Sequence, residues 1–295
     1  MSQEEWDIRT MPDHSGRIAI RYAIWPKGRE FKRLLVFMNG RTEWIEKYQS
    51  LPVDMNLPSD VAFLTWDHRG QGASGGRRSW VESYTAYAQD ARLIIQKVAG
   101  DKPVSVMAHS MGCLIALTAM IRGYINPKAV MLCSPLLRLP EKPLPSWFAK
   151  PASAFITLMG LGHLRTGAGK HDKAPFDTNK LTHDRANFER IQATPYPCRS
   201  ATFKWVHATH VACKHVRHPS VLSRLLTPIH ILFSAEERVV HPKGASEWVK
   251  IARKFSGNDI KYTEIPGARH ELFTESDPMR SQAIAMTKEF LGLNS

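Results

Sequence analysis

MAHSMGCLIAL (107–117) joins two different patterns of apolar residues through a serine. The run PVSVMAHS (103–110) is short and apolar, which predicts a buried strand, whereas MGCLIALTAMIRG (111–123) has the length of a helix. Within AHSMG (108–112), small residues stand two positions before and after the serine, so neighbouring backbone can approach closely. This arrangement predicts a sharp strand-to-helix turn that exposes Ser110 as a nucleophile. The alternative is a serine that only caps the helix.

Apolar runs on both sides of this stretch repeat the alternation of strand and helix. Short apolar strands that alternate with helices at this spacing predict a mostly parallel sheet with helices on both faces. The predicted strands lie at 17–25, 32–40, 60–76 (a strand that runs into a glycine-rich loop), 103–110, 128–135, 228–234 and 260–267. The predicted helices lie at about 81–99, 111–123, 243–256 and 278–292.

The alternation stops after residue 135 and resumes at residue 228. The intervening residues 136–227 are rich in proline, histidine and basic residues, and they contain no clear buried strand. Three amphipathic stretches predict helices there, near 147–160, 181–193 and 200–215. We therefore expect an α/β core built from residues 1–135 and 228–295, interrupted by a helical insertion.

The composition is that of an ordinary globular protein. Apolar residues make up 43% and charged residues 23% of the 295 residues, which excludes a disordered or fibrous chain. No window reaches the ~18 uninterrupted apolar residues of a membrane span. The N-terminus, MSQEEWDIRT, is acidic and polar rather than basic and apolar, so we expect no secretory signal. The four cysteines show no CxxC spacing, which favours a reduced, cytoplasmic protein.

The chain is strongly basic, with a formal net charge of +13 and a sequence pI of about 9.7. Residues 141–220 contribute 12 Lys and Arg against 5 Asp and Glu. This balance favours an anionic partner, such as an anionic membrane surface, and the alternative is a solvated basic surface. No zinc-finger spacing, basic zipper or basic-aromatic RNA motif is present, so we expect no nucleic-acid partner.

Five stretches, in this order, resemble the α/β-hydrolases, specifically the branch of lysophospholipase L2 and the monoacylglycerol lipases. The resemblance covers nearly the whole chain and implies a mostly parallel sheet with an inserted helical cap. The stretches are LLVFMNGRTEWIEKY (34–48), FLTWDHRGQGASGG (63–76), MAHSMGCLIAL (107–117), FSAEERVVHPKGA (233–245) and IPGARHELFTES (265–276).

The family carries its catalytic residues in the order serine, acid, histidine. The resemblance therefore implies that Ser110 is the nucleophile and that His270 is the general base. The family usually has aspartate at the acid position, and Glu237 occupies the matching frame in ERVV (237–240). Glu236, one residue earlier, stays open as the alternative acid.

The resemblance also implies an oxyanion hole made of two backbone N–H groups, from Met111 and Arg41. The family has His-Gly before the second donor, where this chain has Asn39-Gly40. This difference changes the side-chain hydrogen bonding expected in the loop. It does not remove the oxyanion donor, because that donor is a backbone N–H group.

Two other groups of residues invite different chemistry. Asp67 begins the loop 67–74, which is mostly structural in the family; the alternatives are a triad acid or a metal ligand. A second set has the spacing of metal ligands on one helical face: His207, His210, Cys213, His215 and His218. A basic, pH-sensitive cap surface explains that set without a metal. We expect neither metal nor cofactor.

Taken together, these patterns predict a serine ester hydrolase that cleaves a lysophospholipid or a monoacylglycerol through an acyl-enzyme. The alternatives are a carboxylesterase for small soluble esters and a non-catalytic binding module on the same fold. The aromatic and apolar segment 145–162 suits an interfacial lid that could touch the inner face of a membrane, or a helix packed on the core. Head-group preference, positional preference and oligomeric state stay open.

Overall fold

The computed structural model of the chain describes residues 5–141, 146–167, 175–196 and 200–294. Its strands are β1 (Asp7–Pro12), β2 (Ala19–Trp25), β3 (Arg33–Met38), β4 (Val61–Trp66), β5 (Val104–His109), β6 (Val130–Cys133), β7 (Ile229–Ser234) and β8 (Ile260–Ile265). Its α-helices are α1 (Leu51–Asp54), α2 (Tyr84–Ala99), α3 (Met111–Ile121), α4 (Ser146–Ile156), α5 (Arg185–Gln192), α6 (Phe203–His215), α7 (Pro219–Leu222), α8 (Gly244–Phe255) and α9 (Met279–Leu291). Cys198 lies outside the described residues.

The described strands form a single sheet in the order β1-β2-β4-β3-β5-β6-β7-β8. From β4 to β8 every neighbouring pair is parallel, whereas β1 with β2 and β2 with β4 are antiparallel. The predicted mostly parallel sheet is therefore confirmed. The β1 strand was not predicted, because its sequence DIRTMP mixes charged and apolar residues at the edge of the sheet.

The parallel strands β3, β4, β6 and β7 are buried on both faces, which explains their nearly continuous apolar sequences. In β3, Leu34 and Val36 pack into one core while Leu35 and Phe37 pack into a second core. The first core contains α2, α3, α6 and α8, and the second contains α1 and α9. Helices therefore cover both faces of the sheet, as the alternation of elements predicts.

The helices α4 to α7 lie between β6 and β7 in the chain. The α6 helix joins the first core through Trp205, Ala208 and Ala212. The α4 helix and the π-helical turn Thr157–Leu161 pack on α6 and present apolar side chains outwards. Within the described ranges, no helix is long and apolar enough to cross a membrane.

Candidate active site

The loops that follow the parallel strands all leave the sheet at its carboxyl edge. Asn39 and Gly40 follow β3, Ser110 follows β5, Glu237 comes soon after β7, and His270 comes soon after β8. Parallel strands end on the same side of a sheet, so residues far apart in sequence meet there. This edge is where the structure brings the predicted site residues together.

Ser110 occupies a strained turn between β5 and α3. Its φ of 50° and ψ of −112° are rarely adopted by residues other than glycine. The turn brings α3 close to the end of β3, where a Cβ on Gly112 would lie 2.0 Å from the carbonyl oxygen of Met38. A glycine is therefore required at this position. These features are those of a nucleophile elbow rather than of an ordinary serine cap.

Three side chains form a hydrogen-bonded chain at the elbow. His270 Nε2 lies 3.0 Å from Ser110 Oγ, and His270 Nδ1 lies 2.8 Å from Glu237 Oε2. All three residues are buried. The arrangement has the geometry of a nucleophile, a general base and an acid that orients the base.

Glu237 is fixed by further donors. Its Oε1 accepts hydrogen bonds from the backbone N–H groups of Val239 and Val240, at 2.7 and 3.1 Å, and its Oε2 accepts one from Ser234 Oγ at 2.8 Å. Burial alone would raise the pKa of Glu237, but the facing His270 and the backbone donors lower it to about 2. Glu237 is therefore a stable carboxylate at neutral pH.

Glu236 points to a different neighbour. It is only partly buried, and its Oε2 lies 4.0 Å from His183 Nε2. The loop thus turns one of two adjacent glutamates towards His270 and the other towards the insertion.

The carboxylates around His270 raise the pKa of its ring. Burial alone would lower the pKa of His270, but the charge and hydrogen bond of Glu237, with Glu271 and Glu43 nearby, raise it above the ordinary histidine value. A base with a raised pKa accepts a proton more readily once it is neutral.

The two predicted oxyanion donors lie in the expected elements. Met111 is the first residue of α3, where a helix has N–H groups without intrahelical partners. Arg41 follows Gly40 in the loop after β3. Asn39, which replaces the family's histidine, donates from Nδ2 to the carbonyl of Trp66 at 2.9 Å, so a side-chain hydrogen bond still ties this loop to β4.

Asp67 is occupied by structural contacts. Its carboxylate accepts hydrogen bonds from the backbone N–H groups of Ile45 and Ala73, both at 2.8 Å, and from Arg21 at 3.2 Å. These contacts tie together the loops after β3 and β4, as the resemblance implies. They leave no hydrogen bond between Asp67 and His270 among those that the structure describes.

The residues on and after α6 do not form a metal-ligand set in the described part of the chain. Elsewhere in the described residues, three possible ligand atoms lie within 4.8 Å of one another, from Asp13, His14 and Asp90. The guanidinium of Arg69 already donates to both aspartates, at 3.0 and 2.7 Å.

Sequence reasoning missed a buried ionic cluster beneath the site. Lys47 forms ion pairs with both Glu43 and Glu271, although Glu271 is more than 200 residues from the other two. Glu43 and Lys47 have the i,i+4 spacing of an ion pair, which was a local signal. Nothing in the sequence shows that Glu271 joins them.

Together, the fold and the elbow define an α/β hydrolase. Residues 29–277 match the model of the family described as serine aminopeptidase, S33 (Hydrolase_4). Because this match covers most of the chain, the protein belongs to that family of α/β hydrolases.

Similar proteins include lipid hydrolases. A probable lysophospholipase L2 from Haemophilus influenzae is 29% identical over 299 residues, which cover 95% of this chain and 90% of that protein. The monoglyceride lipase of Homo sapiens is 25% identical over 247 residues, covering 83% of this chain and 77% of that protein. A thermostable carboxyl esterase from Bacillus coagulans has a similar fold, with a TM-score of 0.77, 15% identity, and coverage of 97% and 99% of the two chains.

The raised pKa of His270 predicts the pH dependence of turnover. His270 must be neutral to accept the proton of Ser110, so kcat/KM for a soluble ester should fall as the pH drops through a midpoint above 6.5. Glu237→Gln removes the charge that raises this pKa. That variant should therefore show a lower midpoint and a maximal rate reduced by up to about 10⁴-fold.

The matched control for this measurement is Glu236→Gln, which makes the same change one residue earlier. It should leave the midpoint and the rate unchanged, because the side chain of Glu236 faces His183, and His270 is not among its described contacts. A wild-type midpoint below 6.5, or a greater loss in Glu236→Gln than in Glu237→Gln, would contradict this assignment of the acid.

Proposed function

We propose that the protein is a serine ester hydrolase that removes the acyl chain of a lysophospholipid or a monoacylglycerol. The observation that carries the proposal is the chain of hydrogen bonds from Ser110 through His270 to Glu237 at a strained elbow. The names of the lysophospholipase and monoglyceride lipase relatives support lipid esters as the substrate class.

In the first half of the reaction, Ser110 Oγ attacks the carbonyl carbon of the ester. His270 Nε2 accepts the serine proton, and the carbonyl oxygen becomes an oxyanion. The backbone N–H groups of Met111 and Arg41 donate to that oxyanion. His270 then gives its proton to the leaving glycerol oxygen as the C–O bond breaks, which leaves the acyl group on Ser110.

In the second half, water attacks the acyl-enzyme. His270 accepts a proton from the water and returns it to Ser110 Oγ when the fatty acid leaves. Throughout the cycle Glu237 Oε2 accepts a hydrogen bond from the Nδ1–H group of His270, which keeps Nε2 directed at Ser110. Glu237 stays ionised because its pKa is about 2.

The insertion at 136–227 supports a substrate with a long acyl chain. In this proposal it is a cap over the core, and its apolar side chains are unusually exposed, with Trp147 at 74% and Leu158 at 84%. Other exposed apolar residues on or just after α4 and the π-helical turn are Phe148, Phe155, Met159, Leu161 and Leu164. An aromatic and aliphatic surface of this kind suits contact with aggregated lipid.

Basic residues beside this surface favour an anionic membrane as the source of lipid. Lys150 lies on α4, and Lys214 lies on α6 near the exposed Val211. Both lysines are exposed. In our proposal, the apolar side chains enter the lipid interface while the lysines attract its anionic head groups.

The reaction is tested by comparing wild-type protein with Ser110→Ala. The variant should lose turnover by about 10⁴-fold or more, because the nucleophile is removed while packing changes little. The substrates should include a lysophospholipid, a monoacylglycerol, a short soluble ester and an aminoacyl anilide. Preference for the first two supports the proposal. Preference for the short ester would instead identify a small-ester carboxylesterase, and preference for the anilide an aminopeptidase.

Membrane contact is tested by vesicle sedimentation with Ser110→Ala, so that binding is measured without turnover. Binding to anionic vesicles should exceed binding to neutral vesicles and should weaken as salt screens charges over a Debye length of ~8–10 Å. Each basic residue near the surface contributes up to about 1 kcal/mol. A double variant with Lys150→Gln and Lys214→Gln should therefore bind anionic vesicles more weakly.

The control substitutions for sedimentation are Lys97→Gln and Lys128→Gln, which remove two exposed lysines outside the insertion. They should leave binding unchanged, although they alter the net charge equally. Equal sedimentation with neutral and anionic vesicles at every salt concentration would remove the anionic head groups from the proposal, and no sedimentation with either would remove the membrane.

A further inference from the structure

Four ionisable side chains lie buried beneath the candidate site, and the proposed reaction uses none of them: Glu43, Lys47, His109 and Glu271. Isolated buried charges are costly, so such groups persist only when they are paired and hydrogen-bonded. Two of them are direct sequence neighbours of candidate catalytic residues, because His109 precedes Ser110 and Glu271 follows His270. Glu43 lies in the loop after β3, and Lys47 lies in the short helical turn that follows it.

The lysine joins the two carboxylates. Lys47 Nζ lies 2.6 Å from Glu43 Oε1 and 2.8 Å from Glu271 Oε2. Burial alone would lower the pKa of Lys47, but the charges of Glu271 and Glu43 raise it. Burial alone would raise the pKa of Glu43, but Lys47 and His109 hold it well below its ordinary value. These ion pairs bridge the segment after β3 and the loop that carries His270.

His109 makes a second bridge from the same carboxylate. Its Nδ1 lies 3.3 Å from Glu43 Oε2, and its Nε2 lies 3.2 Å from the backbone carbonyl oxygen of His270. Both partners are acceptors, so the ring makes both hydrogen bonds together only when both nitrogens carry protons.

Glu43 is where three loops meet. Its Oε2 accepts a hydrogen bond from the backbone N–H of Gly40, next to the proposed oxyanion donor Arg41. Through His109 it reaches the residue before the nucleophile and the carbonyl of the proposed base. One carboxylate thus links the backbone segments that present the oxyanion donor, Ser110 and His270.

We propose that His109 is a positioning residue that fixes the backbone of His270 and so keeps its ring in line with Ser110. This inference rests on the proposed function. The hydrogen bond to the carbonyl of His270 acts on main chain, so it limits movement of the whole residue. The rings of His109 and His270 also lie in contact, with centroids 4.8 Å apart.

The proposed role predicts which kinetic constant changes. A catalytic group misplaced by about 1 Å can cost about 100-fold in rate, whereas ground-state binding of the acyl chain does not depend on the His270 carbonyl. Loss of the His109 bridge should therefore lower kcat and leave KM nearly unchanged. A merely structural role would instead lower the amount of folded protein.

The test uses two variants of His109 and one matched control. His109→Phe keeps a ring of similar shape but removes both donors, and His109→Gln keeps an amide that can donate to one of the two acceptors. The control is His230→Phe on β7, where another buried histidine bonds only Thr263 Oγ1, at 2.9 Å, among the described contacts. We expect kcat to fall by about 100-fold in His109→Phe and by about 10-fold in His109→Gln, with KM nearly unchanged. His230→Phe should retain the wild-type kcat.

Thermal unfolding of each variant separates positioning from folding. If His109→Phe does not fold, His109→Gln alone decides the result. Wild-type kcat in a folded His109→Gln, or a loss of rate equal to that in His230→Phe, would overturn the positioning role. Ser110→Ala in the same assay separates the two proposals. If Ser110→Ala keeps its turnover, the proposed function fails. If Ser110→Ala is inactive and the His109 variants keep the wild-type kcat, only the positioning role of His109 fails.

Discussion

The backbone of Ser110 is held in a conformation that a serine does not adopt without help. A φ of 50° and a ψ of −112° cost free energy, and such strain of about 1–3 kcal/mol persists only where the surrounding structure fixes it. The fixing comes from close packing of α3 against the end of β3, which leaves no room for a Cβ on Gly112. The backbone N–H of Ser110 is also bonded to the carbonyl of Cys133 on β6, at 3.0 Å. The strained turn therefore depends on three neighbouring parallel strands.

The same sheet explains why the other groups meet the serine. His270 and Glu237 are 160 and 127 positions further along the chain, yet they follow adjacent parallel strands, β8 and β7. The sheet thus brings the candidate catalytic side chains together at its carboxyl edge.

Much of this architecture could be predicted from the sequence, since buried parallel strands give short apolar runs and helices give longer periodic ones. The elbow was visible because Ser110 lies at the junction of the two patterns. The choice between Glu236 and Glu237 was not visible in the residues alone, because it depends on backbone N–H groups that hold one carboxylate towards His270. The cluster around Glu43 was hidden for a similar reason: its members meet only after the sheet has formed.

We propose that Ser110 is the nucleophile because the elbow presents it to a base that Glu237 orients. This assignment can be tested by treating the folded protein with a fluorophosphonate and locating the adduct by mass spectrometry of its peptides. We expect a single adduct on Ser110, formed much more slowly when His270 is replaced by alanine. An adduct on another residue, or no adduct on the folded protein, would contradict the assignment of Ser110 as the nucleophile.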